Sequence, residues 1–160
     1  MMLTHTRIRY LFDYSPTGHL VRRIGVKGSG VGTAIGTTTQ GGYIAAVVDG
    51  KMYRVHHLVW FWHNRSWVTE LDHLNRVRHD NRIENLRPCT HTQNLGNMRP
   101  RVHRYKGVTF CKQTGKWRAK ITVNYRATHL GRFVTMEEAA FAYNQAALEH
   151  FGEFAHLNDV

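Results

Sequence analysis

Cysteine is almost missing from this sequence. Among 160 residues only Cys89 and Cys111 occur, and neither belongs to a C-x-x-C pair. A zinc ribbon or a disulfide framework is thereby excluded, which suits a reducing compartment. No apolar run approaches the ~18 residues of a membrane span, and the Met1–Tyr10 start lacks a signal-peptide core. The expectation is a soluble, cytoplasmic protein with no membrane partner. Acidic side chains are also scarce, with 11 Asp/Glu against 22 Lys/Arg, a formal charge of +11 and a pI near 10.2. Such an imbalance points to a polyanionic partner, nucleic acid first among them. The length suits one domain or two small ones, and 42% hydrophobic residues are enough for packed cores.

The scarcity of acid is uneven. Residues 101–134 hold nine Lys/Arg and no Asp/Glu, whereas residues 135–160 hold five Asp/Glu and no Lys/Arg. One face meeting phosphate and another turned away from it would produce this division.

Taken in order, Ser15-Pro16-Thr17-Gly18 reads as a turn, followed by a strand over 19–24. Five glycines between Gly25 and Gly36 suggest a phosphate loop, but the Gly-Lys-Ser/Thr ending is missing and a flexible loop is the better reading. Asp49-Gly50 between two apolar segments signals a hairpin. Residues 57–63, HLVWFWH, read as a short apolar helix whose aromatics belong to the core. His56 and His57 are either a DNA contact or a helix start packed on Trp60, Phe61 and Trp62, the second being preferred.

The segment Leu71–Met98 places Asp, His and Asn at fixed intervals. Residues 68–73 read as a strand ending on Asp72 and His73, 75–82 as a polar loop, 83–87 as a return strand. Thr90 with Gln93 then forms a capping box that starts a helix carrying Asn94. Hydrolysing a phosphodiester needs a polarised phosphate, an activated water and a stabilised oxyanion, and a hard divalent cation with oxygen ligands serves the first and last. Asp72 and Asn94 supply such oxygens, and a neutral His73 can accept a proton from water. The pattern DH-x-N-x-x-x-x-DNR-x-x-NLR-x-x-T-x-x-QN resembles the HNH nucleases. That resemblance implies a ββα core around one Mg²⁺ or Mn²⁺, held by Asp72 and Asn94. It makes His73 the general base, and gives Asn85 the task of orienting His73 or tying the loop. Asn94 stands where many HNH nucleases have histidine, which favours the harder metals over zinc.

Beyond a basic linker over 99–104, alternation is clean along 116–123. Lys116, Arg118, Lys120 and Thr122 fall on one face, and Trp117, Ala119, Ile121 and Val123 on the other. Thr135 with Glu138 is a second capping box, Gly152 is placed to stop the helix, and Ala139, Tyr143, Ala146, Ala147 and His150 follow helical spacing. A basic sheet face is costly to pack on protein, so it is expected to face DNA. Residues 105–158 resemble the APETALA-type (ethylene-response-factor) DNA-binding domain. The shared residues include Tyr105, Gly107-Val108, Gly115-Lys116-Trp117, Leu130-Gly131, Glu137-Glu138-Ala139-Ala140 and Leu157-Asn158. The resemblance implies three antiparallel strands on one helix, with the sheet in the major groove. Lys106 keeps the charge of the family's arginine, and Arg126 and His129 complete the expected DNA-binding set. The resemblance departs at Thr109, Thr122 and His129, where the plant sequences have base-reading side chains, so target sequence does not carry over.

The sequence therefore predicts an α+β chain. N-terminal strands (1–52) lead into an HNH nuclease core (53–98), then the linker (99–104) and the APETALA-type domain (105–160). The expected function is a metal-dependent homing-type endonuclease acting on double-stranded DNA. It would work as a monomer that nicks one strand, in a host cytoplasm if phage-encoded. The alternative is a sequence-specific DNA-binding regulator with an inactive nuclease module.

Overall fold

A computed structural model describes residues 3–100 and 104–160. The chain divides into two compact units, Met1–Pro88 and Cys89–Val160. Both mix helices with antiparallel sheets, and among the described residues there are four α-helices. The expected linker over 99–104 falls partly outside the described residues, and the division observed lies earlier, at Pro88/Cys89.

The first unit opens on helix α1 (His5–Leu11), started by Thr4, whose side chain accepts from the Arg7 backbone N–H. This helix stands within the 1–52 region that the sequence suggested was mostly strand. Strands β1 (Phe12–Tyr14) and β2 (Leu20–Arg22) pair antiparallel across the Ser15–Gly18 turn, where the Gly18 N–H donates to the Ser15 carbonyl at 2.9 Å. Strands β3 (Thr37–Thr38), β4 (Ile44–Val48) and β5 (Lys51–Arg54) form a three-stranded sheet. The β4–β5 hairpin turns on Asp49 and Gly50, both at positive φ (47° and 76°), the geometry of a type I′ turn. Helix α2 (Val55–Asn64) follows directly and buries Val55, Leu58, Val59 and Phe61 against Ile8, Phe12, Leu20 and Ile44. Each such side chain contributes about 1.5–3 kcal/mol by leaving water. Trp60, Trp62 and Trp67 pack at the margin of this core, as expected for the aromatic segment. Strands β6 (Leu71–His73) and β7 (Leu86–Pro88) complete the unit, joined by a loop and a 3₁₀ turn over Ile83–Asn85 where strand had been expected.

The second unit begins with helix α3 (His91–Asn97), started by the predicted Thr90/Gln93 capping box. Strands β8 (Val108–Cys111), β9 (Lys116–Val123) and β10 (Arg126–Phe133) make an antiparallel sheet in the order β10-β9-β8. Helix α4 (Met136–Phe151) carries the Thr135/Glu138 capping box and ends at Gly152, at φ 52°. It lays Ala139, Ala140, Tyr143, Ala146, Ala147 and Phe151 on the sheet side, whereas His150, expected among them, is exposed. Helix α3 packs on α4. A Cβ on Gly96 would lie 2.7 Å from Phe151 Cγ, so the approach of the two helices depends on that missing side chain.

Candidate nucleic-acid interface

Burial along β9 alternates without a break. Trp117, Ala119, Ile121 and Val123 turn toward α4, and Lys116, Arg118, Lys120 and Thr122 are exposed. Residues directly opposite in an antiparallel pair share a face, so register assigns the rest. Thr109 and Arg132 flank Arg118, His129 lies opposite Lys120, and Ala127 opposite Thr122. The outward face thus presents Lys116, Arg118, Lys120 and Arg132 with no carboxylate in any of its three strands.

Arg132 was not anticipated. Between His129 and Gly131 the register slips by a β-bulge, with Gly131 at φ 140°. A bulge adds one residue to one strand, so His129 and Arg132 share a face despite an odd spacing. Two other residues of the expected set are placed apart from this face or engaged elsewhere. Arg126 is paired with Val123 and so occupies the register of the helix side, at the sheet's end. Lys106 sends its Nζ to the carbonyl oxygens of Leu95 (2.8 Å) and Gly96 (2.5 Å), capping the C-terminal turn of α3. Its charge serves the helix end.

The unit is closed by a buried amide clasp. Asn158 accepts at Oδ1 from the Lys106 N–H (2.7 Å) and donates from Nδ2 to the Lys106 carbonyl (3.1 Å). Asn144 donates to the Asn158 carbonyl (2.9 Å) and accepts from its N–H (2.7 Å). These bonds tie the entry to β8, the middle of α4 and the segment after it. Gly107 permits the same crossing: at φ 76°, a Cβ there would overlap the Tyr143 ring at Cδ2. On the opposite margin, Cys111 has its thiol pKa lowered by hydrogen bonding from Thr114.

The residues of the Asp72–Asn94 constellation belong to both units. Asp72, His73 and Asn85 stand in the first unit, and Asn94 in the second. Asp72 and Arg87 are directly opposite on β6 and β7, and Asp72 Oδ2 accepts from Arg87 Nε (3.0 Å) and Nη2 (2.9 Å) in a buried ion pair. A cation at that oxygen would be set against a guanidinium, a repulsion that grows with burial. Among the described residues no three His, Cys, Asp or Glu side chains converge as a metal cage. Asp72 Oδ2, one of the expected metal donors, is engaged by Arg87.

His73 is hydrogen-bonded to Asn81 Oδ1 at 3.1 Å, and burial pushes its pKa below the usual histidine value. Asn85 does not meet it. Its amide donates to Asn75 Oδ1 (3.0 Å) and the Asp80 carbonyl (2.7 Å) and accepts from the Asn75 N–H (3.0 Å), tying the loop. Arg82 and Asn75 hold the Asp80 carboxyl well below its ordinary range. His56 packs on His73 (4.9 Å between ring centroids), His57 (4.7 Å) and Tyr43 (5.4 Å). That is the structural role preferred from sequence, but with different neighbours. Desolvation drives its pKa down to about 2.

No family model matches the chain. Curated relatives do. APETALA2-like protein 2 of Oryza sativa subsp. indica is 36% identical over 72 residues, 45% of this chain and 17% of that protein. Ethylene-responsive transcription factor WRI1 of Arabidopsis thaliana is 34% identical over 95 residues, 58% of this chain and 21% of its own length. AP2-like ethylene-responsive transcription factor TOE2 of the same plant is 39% identical over 62 residues, 39% of this chain and 13% of that protein. The chain thus spans about a fifth or less of the first relatives it matches. These relatives overturn the enzymatic expectation. Two of them are transcription factors by name, so the expected endonuclease, with its hydrolase, homing and phage character, does not hold. What they support is the other resemblance: the homologues of this chain are plant transcription factors of the APETALA2/ethylene-response-factor kind, in keeping with an APETALA-type domain.

Proposed function

We propose that the chain is a sequence-specific DNA-binding regulator that binds duplex DNA through the outward face of β8–β10. The observation that carries this is the acid-free face of Lys116, Arg118, Lys120 and Arg132, set on a sheet whose other side is filled by α4. Four cations held on a rigid surface neutralise phosphates and release condensed counterions, which supplies affinity. Thr109, Thr122 and His129 lie among them and are short or neutral, suited to reading base edges while the cations fix register. The likeness to transcription factors supports selectivity for particular sites.

The first unit is, on this reading, a folded non-catalytic module. The protein binds as a monomer in a compartment that holds duplex DNA. None of the described helices is long and apolar enough to cross a membrane.

The test is a titration of labelled duplex with full-length protein at several salt concentrations, preceded by selection of a preferred site from random duplexes. The four phosphates neutralised by the sheet are expected to contribute about −3 to −4 to the slope of log K against log salt. Binding that ignores salt, or a selection that enriches no site, would overturn the proposal.

A further inference from the structure

Four arginines of the first unit meet a carboxylate. Arg7 meets Asp49 at 2.9 Å, Arg23 meets Asp13 at 3.5 Å, Arg82 meets Asp80 at 2.7 Å and Arg87 meets Asp72 at 2.9 Å. Arg54 and Arg78 meet no carboxylate among the described residues. Both guanidiniums instead stand over the one ring of Tyr43, 4.5 and 5.0 Å from its centroid. Arg78 is pinned there by a hydrogen bond to the Gly41 carbonyl at 2.8 Å. Arg54 immediately precedes α2 and makes no capping hydrogen bond to it, so its guanidinium is not spent on the helix. Next to Arg54 lies an open groove of about 420 Å³ lined by Lys51, Met52, Tyr53, Arg54, His57 and Trp67, again without an acid.

Two like charges gathered at one aromatic ring repel each other, and cation–π attraction offsets only part of that cost. An anion received beside them offsets the repulsion. Guanidinium forks suit phosphate oxygens, and ordering Arg78 in advance lowers the entropy given up on binding. The unit as a whole is basic, with 12 Lys/Arg against 6 Asp/Glu in residues 1–88, which favours an extended polyanion over an isolated ion.

We propose that Arg54 and Arg78 around Tyr43, with Lys51 beside them, form a second phosphate-binding surface that takes the sugar–phosphate backbone of a DNA duplex. This rests on the reading of the chain as a DNA-binding protein and gives a binding role to the unit that reading leaves passive. The surface contributes affinity without sequence preference, because phosphates carry no base identity.

The experiment compares full-length wild type with the double variant R54Q/R78Q and with R118A/R132A, measuring duplex affinity across a salt series. Every phosphate that is no longer neutralised takes about 0.9 from the slope, so R54Q/R78Q is expected to lower it by about 1.8, additively with the sheet variants. R54K/R78K keeps the charges and should keep the slope. An unchanged slope in R54Q/R78Q beside a reduced one in R118A/R132A overturns this surface and leaves the sheet's role intact. Unchanged slopes in both would instead sink the DNA-binding reading itself. Inorganic phosphate serves as a second probe, and protection of the two arginines by phosphate but not by duplex overturns the proposal. Should R54Q/R78Q fail to fold, wild-type protein treated with an arginine-specific reagent decides. Arg54 and Arg78 are expected to be shielded by duplex, and full reactivity in its presence overturns the claim.

Discussion

At the scale of single residues, the register of one strand separates two arginines that look alike in the sequence. Arg132 lies opposite Arg118 on the outward face, and Arg126 lies opposite Val123 on the register of the other. Arg132→Ala is therefore expected to lower the salt slope of DNA binding by about 0.9, and Arg126→Ala to leave it nearly unchanged. A titration of both variants side by side checks this, and equal reductions would show that the bulge does not aim the strand as described. Gly107 makes a different kind of prediction. Its positive φ and its closeness to the Tyr143 ring leave no room for a methyl group. Gly107→Ala should destabilise the second unit by about 2–5 kcal/mol, combining backbone strain with overpacking, as read from denaturant unfolding.

At the scale of elements, local signals were the most legible. Thr90/Gln93 and Thr135/Glu138 start α3 and α4 where the sequence placed them, and Asp49-Gly50 turns its hairpin. Each depends on residues within four positions, so neighbours in sequence suffice. Partners across space were not legible. Nothing near Asp72 announces Arg87 as its cross-strand partner, and nothing near Lys106 announces the carbonyls of α3. The bulge that brings Arg132 to the outward face is likewise invisible to a count by twos. The hairpin joining β9 to β10 was also missed: Asn124 and Tyr125 take positive φ (48° and 63°) without a glycine, helped by Thr92 donating to Asn124 (2.6 Å) and Tyr125 stacking on His91 (5.9 Å). Thr135→Ala should cost about 0.5–2 kcal/mol by orphaning the first turn of α4. Asn158→Ala should cost more, roughly 2–4 kcal/mol, because it strips both backbone groups of Lys106 of buried partners. Thermal unfolding of the two variants gives the order, and a harmless Asn158→Ala would remove the clasp from the account.

At the scale of the whole molecule, the two units should respond differently to acid. His56 is buried in the first, its pKa pushed to about 2, and burial also lowers those of His57 and His73. An unfolded histidine binds its proton near pH 6.5, so below that point the unfolded chain holds more protons than the folded one. The stability contributed by the neutral rings is therefore complete above about pH 6.5 and is lost as pH falls, at about 1.4 kcal/mol per pH unit for a fully neutral ring. The first unit is expected to unfold before the second on acidification from pH 7 toward 4, with His56→Phe flattening the dependence; tryptophan fluorescence of Trp60, Trp62 and Trp67 against that of Trp117 reports the order. The clasp of the second unit has a further consequence, for synthesis. Asn158 closes a ring with Lys106, 52 residues earlier. At typical rates a ribosome takes about 3–10 s to make that stretch. By the end of that interval the three strands and α4 have been made with the backbone of Lys106 still without its Asn158 partner, so a nascent chain halted before Asn158 should be cut by protease where a released one is not.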